Sequence, residues 1–197
     1  MVMPIKPLAF SSPFAWLFWA VFLFVYLPEF RLIARSQRAA GQASDRSMTL
    51  IVITGWIGFP VAFGVAGWGS FILARGQKIW FALGLASLLL GSWLRRHCFK
   101  TLGRYFTGNV QVVDGQTVIQ EGAYRWIRHP SYTGGMLMYL GTGLALTNWL
   151  SVLVLVILGG LGYAYRVRVE ERALEMELGE PYRDYVRRTK RFVPFVL

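Results

Sequence analysis

Two short stretches of this chain combine residue types that can do chemistry. Gly122-Ala123-Tyr124-Arg125-Trp126-Ile127-Arg128-His129-Pro130-Ser131-Tyr132 sets two arginines, a histidine and two tyrosines directly before a long apolar run that begins near Gly134. Arg166-Val167-Arg168-Val169-Glu170-Glu171 stands at the far end of that run. Folded as a helical hairpin across a bilayer, the run returns both stretches to the same membrane face and makes one site of them. Either stretch alone has a plainer reading. His129 would cap the helix that Pro130 begins, and Arg166 with Glu170 would be an ordinary i,i+4 pair worth a few tenths of a kcal/mol. Their coincidence at one face is what raises them above that.

Many familiar chemistries are absent. No Gly-x-Gly-x-x-Gly follows a strand, and neither a phosphate-binding P-loop nor His-Glu-x-x-His occurs. The two histidines, His97 and His129, lack carboxylates at metal-ligand spacing, and Cys98 is the only cysteine, so neither a disulfide within the chain nor a thiolate metal site is expected. No metal is expected. A net charge of +11 suggests nucleic acid, but the basic residues flank apolar runs and form no DNA-binding motif, so nucleic acid is not expected as a partner.

The elements that must hold the two stretches follow from composition. With 55% apolar and 16% aromatic residues in 197, the chain is too apolar for an ordinary soluble fold and suits one domain. Four runs approach the roughly 20 residues that cross a hydrocarbon core: 10–27, 48–74, 79–94 and 134–165. The last is too long for one crossing and is read as a hairpin turning at Thr147-Asn148-Trp149. The expected fold is therefore an all-α integral membrane protein with five transmembrane helices, a C-terminal helical hairpin and cytoplasmic segments.

Segments 28–47, 95–133 and 166–197 hold 4, 6 and 8 of the 21 lysines and arginines, leaving only Lys6, Arg75 and Lys78 on the other side. The excess of positive charge on cytoplasmic segments puts the amino terminus outside and the carboxyl terminus inside. The first run lacks a basic leader and an Ala-x-Ala site and is read as a retained helix.

Local signals fill in the rest. Residues 28–47 read as a cytoplasmic loop in which Ser44 or Asp45 caps the second helix. Pro60 should kink that helix, and its glycines allow close packing. Asp114-Gly115 between two β-rich stretches suggests a small hairpin. Pro130 suits the first position of a helix of 18 residues reaching Thr147. Past Gly179-Glu180-Pro181 a short helix with Tyr182, Tyr185 and Val186 on one side reads as interfacial. The apolar ending 192–197 is expected to fold back onto the site or the bilayer.

The residues as a set carry a resemblance. Gly122-x-Tyr124-x-x-x-Arg128-His129-Pro130-x-Tyr132-x-Gly134, then Gly141-x-Gly143, Asn148, Arg166, Glu170-Glu171, Gly179, Tyr182, Tyr185 and Pro194-Phe195 resemble the isoprenylcysteine carboxyl methyltransferase (ICMT) family of membrane enzymes, over roughly residues 100–197. The resemblance implies a methyltransferase that binds S-adenosylmethionine on the cytoplasmic side without a Rossmann domain. It implies a cofactor pocket of Gln111, Gln116, Thr117, Val118, Ile119, Tyr124, His129, Pro130, Ser131, Tyr132 and Glu170, with Arg166 and Glu170 as catalytic residues and Arg166 facing the substrate. The loop between Gln111 and Gln116 is shorter than in eukaryotic members. Residues 1–197 then form one membrane domain: 1–94 holds three amino-terminal transmembrane helices, and 95–197 holds the cytoplasmic loop, hairpin and tail of the catalytic region.

The chemistry suits these residue types. Displacement at a sulfonium methyl by an ionised carboxylate needs no metal and no general base, so positioning and water exclusion supply the rate. The rings of Tyr124 and Tyr132 favour a cation, Glu170 takes an ammonium, amides at the helix start after Pro130 meet an anion, and Arg166 grips an acceptor carboxylate. Glu171, on another face, is expected to tolerate change better than Glu170. The expected partners are membrane lipids and a lipophilic small-molecule or prenylated substrate. Prenylcysteine, phospholipid amines, other isoprenoids, thiols and hydrophobic acids all stay open as acceptors. A short chain with few additions suggests a prokaryotic cytoplasmic membrane. Two other functions compete: a non-catalytic accessory or transport protein on the same scaffold, and a sterol-reductase-like enzyme using NADPH.

Overall fold

The apolar runs become helices because each peptide group removed from water must find its hydrogen bond within its own segment. In a computed structural model of the chain, which describes residues 6–39, 46–107, 110 and 114–193, six α-helices follow one another: α1 (Phe14–Ala39), α2 (Arg46–Val65), α3 (Gln77–Leu102), α4 (Pro130–Ala145), α5 (Trp149–Leu178) and α6 (Glu180–Arg188). Strand structure among the described residues is confined to two isolated bridges, Ile72 with Asn148 and Ile127 with Lys190. Four helices, α1, α2, α3 and α5, are long and apolar enough to cross a membrane. The chain is thus an all-α integral membrane protein. α4 has 16 residues, or about 24 Å at 1.5 Å each, and begins at Pro130 as expected but stops at Ala145, short of Thr147. α5 has 30 residues, about 45 Å, and so exceeds a hydrocarbon core by roughly 15 Å.

One expectation is corrected at α1. The helix does not give way to a loop at Pro28 but runs on to Ala39. Proline lacks an N–H and orphans the carbonyl four residues earlier, which here is that of Phe24. Arg96 of α3 donates to that carbonyl at 2.9 Å and lies 4.8 Å over the Phe24 ring. The orphan is satisfied from another helix, so the helix continues. α2 likewise runs unbroken through Pro60. The expected caps Ser44 and Asp45 lie outside the described residues.

α3 and α4 meet backbone to backbone. A Cβ on Gly84 would lie 2.4 Å from the Ala145 nitrogen, one on Gly91 would lie 2.5 Å from the Gly134 carbonyl oxygen, and one on Gly141 would lie 2.7 Å from that of Gly84. Ser87 Oγ adds a bond to the Leu137 carbonyl at 2.8 Å. α2 lies along α5, with Gly58 against Leu155 and Leu158 and Gly162 against Thr54. The α4–α5 turn falls where the sequence put it. Asn148 caps α5 by accepting from the Ser151 N–H at 3.1 Å, and its amide donates to the carbonyls of Val65 and Ala66, tying the turn to the end of α2.

The loop 103–129 carries the Asp114-Gly115 turn, with Gly115 at φ 70°, but 116–120 has no strand; its expected partner, 111–113, lies outside the described residues. α6 also differs from expectation. Tyr182 and Tyr185 are buried against the protein while Val186 is exposed, so its aromatic face packs on the chain itself.

The α3–α4 contact sets a stability test. Gly84→Ala drives a methyl into α4 backbone and should cost about 1–3 kcal/mol, lowering the detergent melting temperature by roughly 5 °C. Gly64→Ala, where nothing lies within 4 Å of the new Cβ, should leave it unchanged; equal shifts would deny the contact.

Candidate functional site

The site is assembled at the start of α4. Pro130 opens the helix, where its missing N–H costs nothing. His129 precedes it as the cap residue, but its ring makes no capping bond. Nε2 lies instead 3.1 Å from Glu171 Oε1 of α5. The same carboxylate receives Arg128 Nε at 3.0 Å and Arg191 Nη2 at 2.7 Å. Glu171 therefore gathers donors from the loop and the tail. The tail runs beside the loop in extended form: the Arg128 N–H donates to the Lys190 carbonyl at 2.7 Å, the His129 N–H to that of Arg191 at 3.0 Å, and Thr133 Oγ1 to that of Phe192 at 2.8 Å. Arg128 also donates to the carbonyls of Thr189 and Val186. The expected folding back of the tail is present through Val193, and Pro194 and Phe195 lie outside the described residues. Glu171 is thus a brace and not the bystander that its position beside Glu170 suggested.

Glu170 faces the other way. Tyr132 donates its hydroxyl to Glu170 Oε2 at 2.5 Å and accepts from Arg166 Nε at 3.2 Å, while Arg166 Nη1 donates to Ser47 Oγ at 3.0 Å. A phenol can donate and accept at once, so Tyr132 links the two charged side chains. Its ring stacks between His129 at 5.5 Å and Tyr163 at 5.0 Å. The second stack depends on Gly135, where a Cβ would lie 2.2 Å from the Tyr163 hydroxyl oxygen.

A cavity of about 580 Å3 joins these groups. Gln116, Thr117, Val118, Ile119, Tyr124, His129, Ser131, Tyr132, Arg166 and Glu170 all border it; Pro130 stands beside it, and Gln111 lies outside the described residues. From this polar end the cavity continues between α1 and α2 past Phe22, Tyr26, Phe30, Trp56, Phe59 and Phe63. Residues separated by more than a hundred positions share one volume.

Sequence reasoning missed several members. Glu29 of α1 and Arg95 of α3 form a buried bidentate pair at 3.0 and 2.7 Å on the cavity wall, and Arg95 also donates to the Ser131 carbonyl at 3.0 Å. Only the helical extension through Pro28 brings Glu29 there. Tyr185 donates to the Tyr124 carbonyl at 2.6 Å and fixes the loop beneath α6. Tyr182 borders the cavity with a buried hydroxyl that has no hydrogen-bond partner among the described residues. Burial pushes the phenols of Tyr124, Tyr182 and Tyr185 above their ordinary range, so all three keep their protons. Among the described residues no group of three or more His, Cys, Asp or Glu is placed to hold a metal.

The known proteins that this chain resembles agree with one another. Residues 82–176 match the model of the isoprenylcysteine carboxyl methyltransferase family. The chain is 32% identical over 123 residues to protein-S-isoprenylcysteine O-methyltransferase B of Arabidopsis thaliana, covering 61% of this chain and 62% of that protein. It is 30% identical over 151 residues to the protein-S-isoprenylcysteine O-methyltransferase of Mus musculus, covering 75% and 51%. The chain thus spans between half and two thirds of the length of these relatives. The solved structure of the eukaryotic intramembrane Ras methyltransferase ICMT shares the fold, with a TM-score of 0.66 at 24% identity over 91% of this chain and 65% of that one. These relatives are eukaryotic and lend no support to a prokaryotic source.

The Glu171 brace can be tested without a ligand. Glu171→Gln leaves Arg128 and Arg191 without their counter-charge and should cost about 3 kcal/mol. It should lower the melting temperature and open the tail to limited proteolysis. A variant with wild-type melting and an uncut tail would reduce the brace to a surface contact.

Proposed function

We propose, on the match of residues 82–176 to the model of the isoprenylcysteine carboxyl methyltransferase family, that this chain transfers a methyl group from S-adenosylmethionine to the carboxylate of a lipophilic, prenylcysteine-like acceptor. The observation that carries the proposal is the two-ended cavity: charged and aromatic groups at the α4–α5 end, an apolar channel between α1 and α2 at the other. A water-soluble donor and a lipid-like acceptor need such different surroundings, and their reacting atoms must meet where the two ends join.

The residues fit the donor. Glu170 supplies a carboxylate for its ammonium, Tyr124 and Tyr132 supply ring faces for a cation, and Tyr182 supplies a buried hydroxyl in want of a partner. S-adenosylmethionine, when bound, supplies an electrophilic methyl on a sulfonium. The acceptor carboxylate needs no proton removed, so the protein's task is to hold it, aim it and keep water out. Arg166 grips the acceptor, and its bond to Tyr132 fixes the direction of that grip relative to Glu170. The aromatic walls exclude water from the channel.

We read α4 as a fifth crossing, about 24 Å long and sheathed by α3 and α5, and the whole as one membrane domain whose region 95–197 is catalytic. The concentration of 18 of the 21 lysines and arginines in 28–47, 95–133 and 166–197 supports a cytoplasmic site with the carboxyl terminus inside. The site then faces the compartment that supplies the cofactor.

The two charged residues should separate by kinetics. Glu170→Gln should weaken S-adenosylhomocysteine binding about tenfold by calorimetry, as expected for loss of a charge-assisted bond. Arg166→Lys keeps the charge but loses the planar fork. It should leave that binding within about twofold while methyl transfer to a prenylated thiol-carboxylate falls at least tenfold. Parallel loss of binding and turnover in Arg166→Lys would remove it from the acceptor.

Orientation can be read by labelling. In a Cys98→Ser background, an impermeant maleimide on intact cells should label a cysteine at Ala74 and spare one at Met176, both exposed. The reverse pattern would put the site in the wrong compartment.

A further inference from the structure

Among the described residues that border the cavity, Tyr182 is the one whose hydroxyl is fully buried and without a hydrogen-bond partner. It is only 3% exposed, yet its hydroxyl has no hydrogen-bond partner among the described residues. A hydroxyl taken from water without a partner costs free energy. Its neighbour shows the contrast. Tyr185, three residues on, is equally buried but spends its hydroxyl on the carbonyls of Tyr124 and Ile127. A phenylalanine at 185 would break the fold's own bonds; a phenylalanine at 182 would break none that the fold makes.

The setting of Tyr182 narrows its ligand. Gly179, at φ 60°, turns the chain sharply between α5 and α6, which carries Tyr182 back over the polar end of the cavity. The charged groups that act on it are Glu171, Glu170 and Arg128. Glu171 and Arg128 are bonded to each other. Glu170 is the carboxylate assigned above to the cofactor's ammonium. In an amino acid the ammonium and carboxylate sit on the same carbon, so a group held at Glu170 brings an anionic acceptor within a few ångströms. A buried phenol that keeps its proton is a donor suited to that acceptor.

We propose that the Tyr182 hydroxyl donates to the α-carboxylate of the bound cofactor, making with Glu170 a two-point grip on its amino-acid end. This rests on the cofactor reading above. The grip sets both the distance and the rotation of the donor's chain, which a single contact at Glu170 leaves free. It also assigns a ligand-binding role to α6, so the fold-back after Gly179 completes the site.

The test uses two nucleosides that differ only at this end. S-adenosylhomocysteine carries the amino-acid group, and 5′-methylthioadenosine lacks it. Tyr182→Phe should weaken S-adenosylhomocysteine about tenfold in calorimetry and leave 5′-methylthioadenosine, measured by competition, within twofold. Its melting temperature without ligand should be no lower than wild type, whereas Tyr185→Phe should melt lower. Unchanged S-adenosylhomocysteine affinity in Tyr182→Phe would overturn the assignment, as would an equal loss for both nucleosides. Failure of the wild-type protein to bind S-adenosylhomocysteine at all would bring down the cofactor reading itself, and this inference with it.

Discussion

The arrangement of this protein turns on a carboxylate that does not border the cavity. Glu171 receives Arg128 and His129 from the loop before α4 and Arg191 from the tail after α6. Each of those segments is irregular or extended, and the carboxylate adds a charged tie to the backbone bonds that run between them. Held together, they seat Arg128 and His129 beside the polar end of the cavity, directly before the first turn of α4. Tyr132, in the first turn of α4, then reaches Glu170 and Arg166 of α5. The adjacent carboxylates divide the work between them because successive residues on a helix point about 100° apart: one faces the brace, the other the cavity.

In the proposed reaction, the bond chain from Arg166 through Tyr132 to Glu170 would make acceptor and cofactor positions depend on one another. A transfer of that kind, without acid–base chemistry, would gain its rate from alignment, so a fault at either end would propagate to the other. The ring of Tyr132 is pressed between His129 and Tyr163, and the hydroxyl has little freedom to choose another partner. Gly135 permits that compression, which is why a residue with no side chain belongs to the machinery of the site.

Much of this was legible in the sequence, and the legible part has a common cause. The turn at Thr147-Asn148-Trp149, the start at Pro130 and the meeting of the two polar stretches follow from local rules: span length, a proline at a first helical position, a capping asparagine. The unread part depends on partners far away. Nothing near Pro28 says that α1 continues, because the donor that permits it, Arg96, lies 68 residues on. Glu29 could not be placed on the cavity wall until that extension was known. Gly179 and Pro181 announced a turn and a short helix, but whether its tyrosines faced lipid or protein depended on a loop that hydropathy patterns do not describe. Glu171 was underrated for the same reason: its three partners come from two other segments.

The bond from Arg96 to the Phe24 carbonyl also has a consequence for how this sequence can change over generations. Proline at 28 and arginine at 96 are coupled through that carbonyl. A mutation of Pro28 to an ordinary residue restores the missing N–H, makes the helix self-sufficient and frees Arg96 to drift. Loss of Arg96 first leaves the Phe24 carbonyl without that donor and should cost stability. The order of the two events is therefore constrained, and the path away from this pair runs through position 28.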